Sequence, residues 1–156
     1  MNRWIALALF IISAFVIAAI GGSATASSVS DWYLTLEKPP WNPPGWVFGP
    51  VWTALYIMMA VAAWLVWREG RWKARKRALG LYLLQWALNA LWTPLFFALH
   101  QPGWAFAEIA ALLLTVLATL AAFWQVRRSA GLLLIPYALW VAFAAALNFT
   151  IWRLNG

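Results

Sequence analysis

Five long apolar segments, separated by short polar connections, constrain the fold of this chain more than any other feature. They cover about residues 4–26, 46–67, 78–99, 104–126 and 131–152. A helix needs roughly 20 apolar residues to cross the hydrocarbon core of a bilayer, and each segment provides that length. Lipid offers the backbone no hydrogen-bond partners, so such segments form helices. The sequence therefore predicts an all-α integral membrane bundle of five transmembrane helices, with residues 1–156 forming one domain.

Composition excludes several classes of protein and site. The chain is 65% hydrophobic and only 10% charged, which lies outside the range of soluble domains. It has no cysteine, so disulfides and thiolate metal sites are excluded, and its single histidine, His100, rules out a histidine cluster. We therefore expect neither a metal site nor a cofactor.

The first segment also resembles a signal peptide. Arg3 precedes the apolar run, and Ala24, Thr25 and Ala26 imitate a cleavage site. The apolar run from Trp4 to Ile20 is longer than the core of a signal peptide, which reaches about 15 residues. Its length favours a membrane span.

Basic residues are distributed unequally between the two sides of the predicted bundle. One side carries Arg3, Arg68, Arg71, Lys73, Arg75, Lys76, Arg77, Arg127 and Arg128, whereas the other carries Lys38 and Arg153. In a plasma membrane, this bias predicts a cytoplasmic N-terminus, with the loop at 27–45 and the C-terminus outside. A short cationic loop between spans holds a membrane orientation and meets anionic lipid headgroups, so we expect no nucleic acid partner.

Polar and aromatic residues share helical faces beneath the loop at 27–45. In the third segment, spacings of three and four align Tyr82, Gln85, Asn89, Trp92 and Phe96. The corresponding faces in the second and fifth segments hold Trp52 with Tyr56, and Trp140 with Ala144 and Asn148. Amides can simply bond across helices, and tryptophans can simply mark membrane interfaces. The deep setting of Trp52, Trp92 and Trp140 favours a pocket for a flat ligand over those alternatives.

The loop at 27–45 contains the stretch EKPPWNPPGW, from Glu37 to Trp46. Each proline fixes its own backbone angle and restricts the residue before it, so this loop has little entropy to lose. We expect a preorganised lid, with Trp41 and Trp46 packed over the pocket mouth or its rim. The alternative is a plain turn that anchors its tryptophans among headgroups. Pro94, inside the third segment, is expected to kink that helix.

Four stretches of the sequence resemble one family. WYLTLEKPPWNPPGWVFGPVW, LNALWTPLFF, GWAFAE and LLIPYALWVAFAAALNFTIWR are similar to the tryptophan-rich sensory protein and translocator protein family, also called the peripheral benzodiazepine receptor family. The likeness covers nearly the whole chain and is weakest over the first segment. It implies a five-helix bundle, commonly a homodimer, with a pocket that the first loop closes.

The same resemblance implies ligands and roles. Members bind porphyrins such as protoporphyrin IX, and many bind drug-like molecules or sterols. In some bacterial relatives a tryptophan pair supports light- and oxygen-dependent porphyrin breakdown, and the pair corresponds to Trp52 and Trp140. The expected ligand-binding residues, with the lid residue Trp41 included, are Tyr33, Trp41, Trp52, Tyr56, Asn89, Trp92, Glu108, Trp140, Ala144 and Asn148. Glu108 stands where the family typically has an aspartate.

One departure bears on sterols and on the source. The sterol motif of animal members requires a tyrosine, and this chain has Phe149 before Arg153. Sterol binding is therefore not expected, and a bacterial member is favoured. A porphyrin would place its rings against tryptophans and its carboxylates near Asn148, Asn42 and Lys38.

Three functions remain open from the sequence. The favoured one is a membrane receptor or sensor for tetrapyrroles and drug-like hydrophobic ligands, with at most a slow tryptophan-mediated photo-oxidative activity toward porphyrin. The alternatives are a transporter of porphyrin or lipid-like molecules, and a non-catalytic protein that modulates partners. The sequence shows no inverted repeat of the kind carriers use and no nucleophile or metal constellation for hydrolysis.

Overall fold

The computed structural model describes residues 1–156, except the side chains of residues 24–28. Its elements are α1 (Arg3–Ser30), α2 (Trp32–Thr35), α3 (Gly45–Trp67), α4 (Trp72–Thr93), a π-helical segment (Pro94–Ala98), α5 (Pro102–Val126) and α6 (Arg128–Asn155). Helix accounts for 86% of the chain, and the described part contains no strand, so the all-α prediction is confirmed. The triplet at 24–26 that imitates a cleavage site lies outside the described side chains.

Four of these helices are long and apolar enough to cross a membrane. They are α1 over Arg3–Ser23, α3, α5 and α6. Helix α4 has a similar length, but Lys73, Arg75, Lys76 and Arg77 lie in its first two turns. The third predicted segment begins after these charges and continues through the π-helical segment. The count of five spans therefore stays a prediction.

The first connection is shorter than the sequence indicates. Helix α1 extends to Ser30, and the small helix α2 follows almost immediately. The predicted loop at 27–45 is thereby reduced to residues 36–44, which we call the lid. No proline occurs before Pro39, so nothing in the covalent chain interrupts the helical hydrogen bonds earlier.

Pro94 changes the helix type where the sequence predicts a kink. Helix α4 ends at Thr93, and the π-helical segment continues as far as Ala98. The Leu99 N–H donates to the Pro94 carbonyl at 2.9 Å, and the Gln101 N–H donates to the Leu95 carbonyl at 3.1 Å. Proline supplies no N–H for the usual ladder, and the wider turn accommodates that loss.

The helices form a ring in the order α1, α3, α6, α5, α4. Helix α5 packs most extensively against α6 and α4, while α3 packs against α6 and α1. Gly131 permits the tight α5–α6 contact, because a Cβ there would lie 2.9 Å from the Cα of Trp124. Among the described side chains of α1, only Ala6 and Ala14 are buried, so most of this helix is left facing outward.

The bundle has two chemically different ends. The lid, the N-termini of α3 and α5 and the C-terminus of α6 lie at one end, and we call that part of the bundle the lid half. The connection at 68–71 and the residue Arg127 lie at the other end, which belongs to the basic half. Asn155 contacts Glu37 at the first end, and Arg127 forms an ion pair with Glu69 at 3.1 Å at the second.

Candidate ligand-binding cavity

A cavity of about 810 Å³ lies in the lid half. Its walls come from α1, α3, α4, the π-helical segment, α5 and α6, and residues of the lid border it above. Every long helix thus contributes to one space.

The structure brings together eight of the ten residues that the sequence predicts as ligand-binding. The eight that line the cavity are Tyr33, Trp52, Tyr56, Asn89, Trp92, Trp140, Ala144 and Asn148. Trp41 and Glu108 are absent from the lining. The shared faces of α3, α4 and α6 therefore converge as their helical spacing indicates.

Large rings form the cavity walls. Trp52 and Trp140 meet edge to face, with centroids 6.4 Å apart and planes at 89°. Phe48 packs edge-on against Trp140 at 5.9 Å, and Trp92 stacks on Phe96 at 5.3 Å. Aromatic walls of this kind suit a flat apolar guest.

The Asn148 amide holds Trp92 in place. Its Oδ1 accepts a hydrogen bond from Trp92 Nε1 at 2.9 Å, and its Nδ2 donates to the Pro102 carbonyl at 2.8 Å. The sequence suggests that Asn148 meets a ligand carboxylate, but both ends of its amide already have partners. Asn148 therefore orients the indole and ties α6 to the start of α5.

A second polar network lies below the cavity. Asn89 Nδ2 donates to the Tyr137 hydroxyl at 2.8 Å, and that hydroxyl donates to Gln85 Oε1 at 2.7 Å. Tyr137 is 1% exposed, so the bonds are shielded from water. Sequence spacing places Gln85 and Asn89 on one face but gives no sign that Tyr137 bridges them.

Trp140 has a hydrogen-bond donor without a partner beside this site. Its Nε1 is buried and has no hydrogen-bond partner, although the ring lines the cavity. A buried N–H without a partner costs about 1–3 kcal/mol, and a ligand oxygen or nitrogen at this point would recover that cost. The donor makes Trp140 a candidate for orienting a ligand as well as stacking on it.

The lid is fastened by polar contacts. The Tyr33 hydroxyl donates to Asn42 Oδ1 at 3.2 Å, and the Lys38 ammonium lies 4.8 Å from the centre of the Tyr33 ring. Burial raises the pKa of the Tyr33 phenol, partly offset by that hydrogen bond, so the ring stays neutral at ordinary pH. Lys38 and Asn42 both line the cavity.

Asn155 latches the lid to the end of α6. The Glu37 N–H donates to Asn155 Oδ1 at 3.0 Å, and Asn155 Nδ2 donates back to the Glu37 carbonyl at 2.9 Å. These two bonds join residues far apart in the sequence, which is why sequence reasoning missed them. The latch restrains the lid over the cavity.

Three residues lie elsewhere than the sequence suggests. Trp41 is 46% exposed and packs edge-on against Phe143, while Trp46 is 76% exposed, so it does not cover the mouth. Glu108 is buried on α5, and both of its carboxylate oxygens lack a hydrogen-bond partner. The rotation of α5 presents Ile109 and Leu112 to the cavity instead.

Helix α1 supplies lining residues that sequence reasoning missed. Ile17, Ala18, Gly21 and Gly22 border the cavity on that side. Gly21 lies close to Thr93, since a Cβ at Gly21 would sit 3.9 Å from the Thr93 methyl carbon. The adjacent glycines are the one sequence signal that could have placed α1 at the site.

The sequence is similar to those of several known proteins. Residues 8–153 match the TspO/MBR family. The translocator protein of Ovis aries is 47% identical over 129 residues, covering 80% of this chain and 75% of the relative. Protein CrtK of Rhodobacter capsulatus is 40% identical over 152 residues, covering 96% and 94%. The tryptophan-rich protein TspO of Chlorobaculum tepidum is 42% identical over 158 residues, covering 99% of each.

The match extends over nearly the whole chain, and two of these relatives are covered almost end to end. Together with its four apolar helices, this makes the chain an integral membrane protein. It belongs to the TspO/MBR family.

Proposed function

We propose that this protein is a membrane receptor or sensor that binds a flat tetrapyrrole such as protoporphyrin IX, and drug-like hydrophobic molecules, in the lid-half cavity. The cavity itself carries the proposal: its volume of about 810 Å³ lies within the range of small-molecule sites, roughly 300–1,000 Å³. One relative bears the name tryptophan-rich sensory protein, which fits a sensing role.

Different site residues contact the faces of the ligand and its polar edge. Trp52, Trp140 and Trp92 stack against the macrocycle, while the free Trp140 Nε1 donates to a polar atom of the ligand. Lys38 and Asn42 receive the carboxylates at the lid, where water and charge are available. Trp41 and Glu108, which do not line the cavity, act at its periphery.

Slow photo-oxidative breakdown of bound porphyrin is the chemistry that belongs to this proposed function. Trp52 and Trp140 are in contact with each other and both border the cavity, so Trp52 can give an electron to an excited ligand while Trp140 packs beside it. Oxygen and light are the co-reactants, and no metal or cofactor takes part.

The arrangement in the membrane belongs to the same proposal. The third predicted span, at 78–99, crosses the bilayer with the other four, and the chain forms a homodimer. The basic half faces the cytoplasm and the lid faces outward, because basic residues concentrate at the connections of the basic half.

Binding is tested by titrating the purified protein with protoporphyrin IX and recording tryptophan emission. We expect quenching that saturates, with weaker affinity in Trp140→Phe. Trp124→Phe, a change at the far end of the bundle, is the matched control and keeps the affinity of the unmodified chain. An emission spectrum that porphyrin leaves unchanged would reject the proposal.

Photochemistry and transport are separated by two further measurements. Illumination in air should remove porphyrin absorbance in the unmodified chain and not in Trp52→Phe. Several relatives are named translocator protein, which favours transport as the second candidate. Reconstituted vesicles that move porphyrin down a gradient, with no light-dependent loss, would favour that candidate.

A further inference from the structure

A line of oxidisable rings continues from the cavity into the basic half. Trp52 stacks on Tyr56 at a centroid distance of 5.4 Å, and Tyr56 contacts Trp86 at 5.3 Å. Trp86 in turn meets Tyr82 edge to face at 6.3 Å. Trp52 and Tyr56 line the cavity, whereas Trp86 and Tyr82 do not.

The rings along this line are all tryptophan or tyrosine. Each step joins a tryptophan to a tyrosine, the two side chains with the most easily oxidised rings, and no phenylalanine interrupts it. Three of the four tyrosines in the chain touch it: Tyr56, Tyr82 and Tyr137, the last at 6.4 Å from Trp52. Around Trp92, by contrast, the neighbouring rings are Phe96 and Phe97. Apart from Tyr137, whose hydroxyl bridges two amides, phenylalanine would serve packing equally well in both places.

The rings of this line are shielded from water, and the line runs toward the basic half. Trp86 is 5% exposed and Tyr82 is 4% exposed, so both rings lie in the interior of the bundle. Helix α4 begins at Trp72, and Arg75 and Arg77 lie in its first two turns. Tyr82 lies two to three turns from Trp72 along the same helix. Electron tunnelling falls exponentially with distance, so several short steps between touching rings outrun one long step across the bundle.

We infer that Trp52, Tyr56, Trp86 and Tyr82 form a relay that carries an oxidising equivalent from the cavity to the basic half during illumination. The inference rests on the proposed binding of porphyrin. It adds a function to the site: light-driven transfer of single electrons from a reductant at the basic half to dioxygen.

The electrons balance in four steps. Trp52 gives one electron to the excited porphyrin and becomes a radical cation, and the porphyrin becomes a radical anion. Trp86 refills Trp52 through the Tyr56 ring. Ascorbate monoanion reduces Trp86 by way of Tyr82 and loses one electron to the relay and one proton to water. Dioxygen takes the electron from the porphyrin and becomes superoxide, so protein and porphyrin return to their starting states.

The experiment uses the full chain in lipid nanodiscs, loaded with protoporphyrin IX and flashed under argon. Pulsed electron paramagnetic resonance measures the distance between the two radicals, and transient absorption measures how fast they recombine. We expect Trp86→Phe to shorten the distance and to accelerate recombination by at least an order of magnitude, because the positive charge can no longer leave the cavity.

Two further variants keep the result interpretable. Trp64→Phe removes an indole that is 8% exposed and lies on α3 outside the line, and it should leave both distance and lifetime unchanged. Tyr82→Phe removes one hydroxyl; it should keep the radical distance and slow re-reduction by ascorbate severalfold. This variant tests the relay even if Trp86→Phe fails to fold.

The outcomes separate the two proposals. Porphyrin binding with the same radical distance and lifetime in the unmodified chain and in Trp86→Phe would overturn the relay and leave the proposed function standing. For a Trp86→Phe chain that does not fold, unchanged re-reduction in Tyr82→Phe has the same meaning. An unmodified chain that does not bind porphyrin would overturn both.

Discussion

The lid half and the basic half are built from the same long helices, yet the described side chains surround a cavity in the first and pack tightly along α3 in the second. Within α3, the residues of the basic half that are 0% exposed are Met59, Ala60, Ala62, Ala63 and Val66. One to two turns nearer the lid, Trp52 and Tyr56 line the cavity. Small side chains let neighbouring backbones approach, whereas large flat rings keep them apart. Side-chain size along one helix thus decides where a membrane bundle can hold a ligand.

The two halves also place their polar groups differently. In the lid half and just below its cavity, the Asn148 amide and the Tyr137 hydroxyl hydrogen-bond across helices inside the bundle. In the basic half, guanidinium groups lie over tryptophan rings near the helix ends, as Arg68 does over Trp64 at 4.7 Å and Arg75 over Trp72 at 4.9 Å. Buried polar groups shape a site, while peripheral charges fix the position of the bundle in the membrane.

Filling the cavity should remove the difference between the halves, and we expect it to have the largest effect on porphyrin affinity. Ala144→Trp places an indole in the cavity, and we expect porphyrin affinity to fall by ~1,000-fold, about 4 kcal/mol, in a fluorescence titration. Ala146→Trp adds the same ring on the exposed face of α6 and should bind normally. Equal affinity in the two variants would show that the ligand binds elsewhere.

Breaking the hydrogen-bond network below the cavity should have the next largest effect, a loss of folding stability. Tyr137→Phe leaves Asn89 Nδ2 and Gln85 Oε1 without partners, and two such buried groups together destabilise the fold by about 3 kcal/mol. Unfolding in a mixed-detergent titration measures the change. Tyr82→Phe, which also truncates a buried tyrosine, lies outside this network and should shift the midpoint much less. Equal midpoints for Tyr137→Phe and the unmodified chain would contradict the assigned role.

Overpacking the basic half should destabilise it without touching the ligand. Ala62 is 0% exposed in α3, and we expect Ala62→Leu to cost about 2 kcal/mol, because a filled core has no room for added methyl groups. Ala54→Leu, on the exposed side of the same helix, is the control. Porphyrin affinity stays constant in both variants if the halves are independent, and a joint loss of stability and affinity in Ala62→Leu would show that they are coupled.

Releasing the latch should have the smallest effect. Asn155→Ala removes both hydrogen bonds to Glu37, which lie at the surface and together contribute about 1 kcal/mol. We expect ligand dissociation to accelerate by ~5-fold in stopped-flow fluorescence, with little change in thermal stability. Arg153→Ala, an exposed neighbour, should dissociate at the unmodified rate. A rate unchanged in Asn155→Ala would mean that the lid does not restrain the ligand.

Eight of the ten residues that the sequence predicts as ligand-binding line the cavity, because helical periodicity is a local property. Spacings of three and four put Asn89 with Trp92, and Trp140 with Ala144, on faces that the structure turns inward. Sequence reasoning could not place Glu108, since a rotation of α5 by a fraction of a turn decides whether that side chain or Ile109 borders the space. It also missed Gly21 and Gly22, because nothing in α1 alone reveals which helix it packs against.

A helical, membrane-embedded protein with aromatic inward faces can be predicted from the amino-acid order, because those properties depend on hydrophobic length and residue spacing. Three contacts can be seen only in the folded bundle: Tyr137 bridges two amides, Asn155 fastens the lid, and Trp86 continues the line of rings from Trp52. Each of these contacts joins residues distant in the chain, so it exists only once the rotation and relative height of whole helices are fixed by packing.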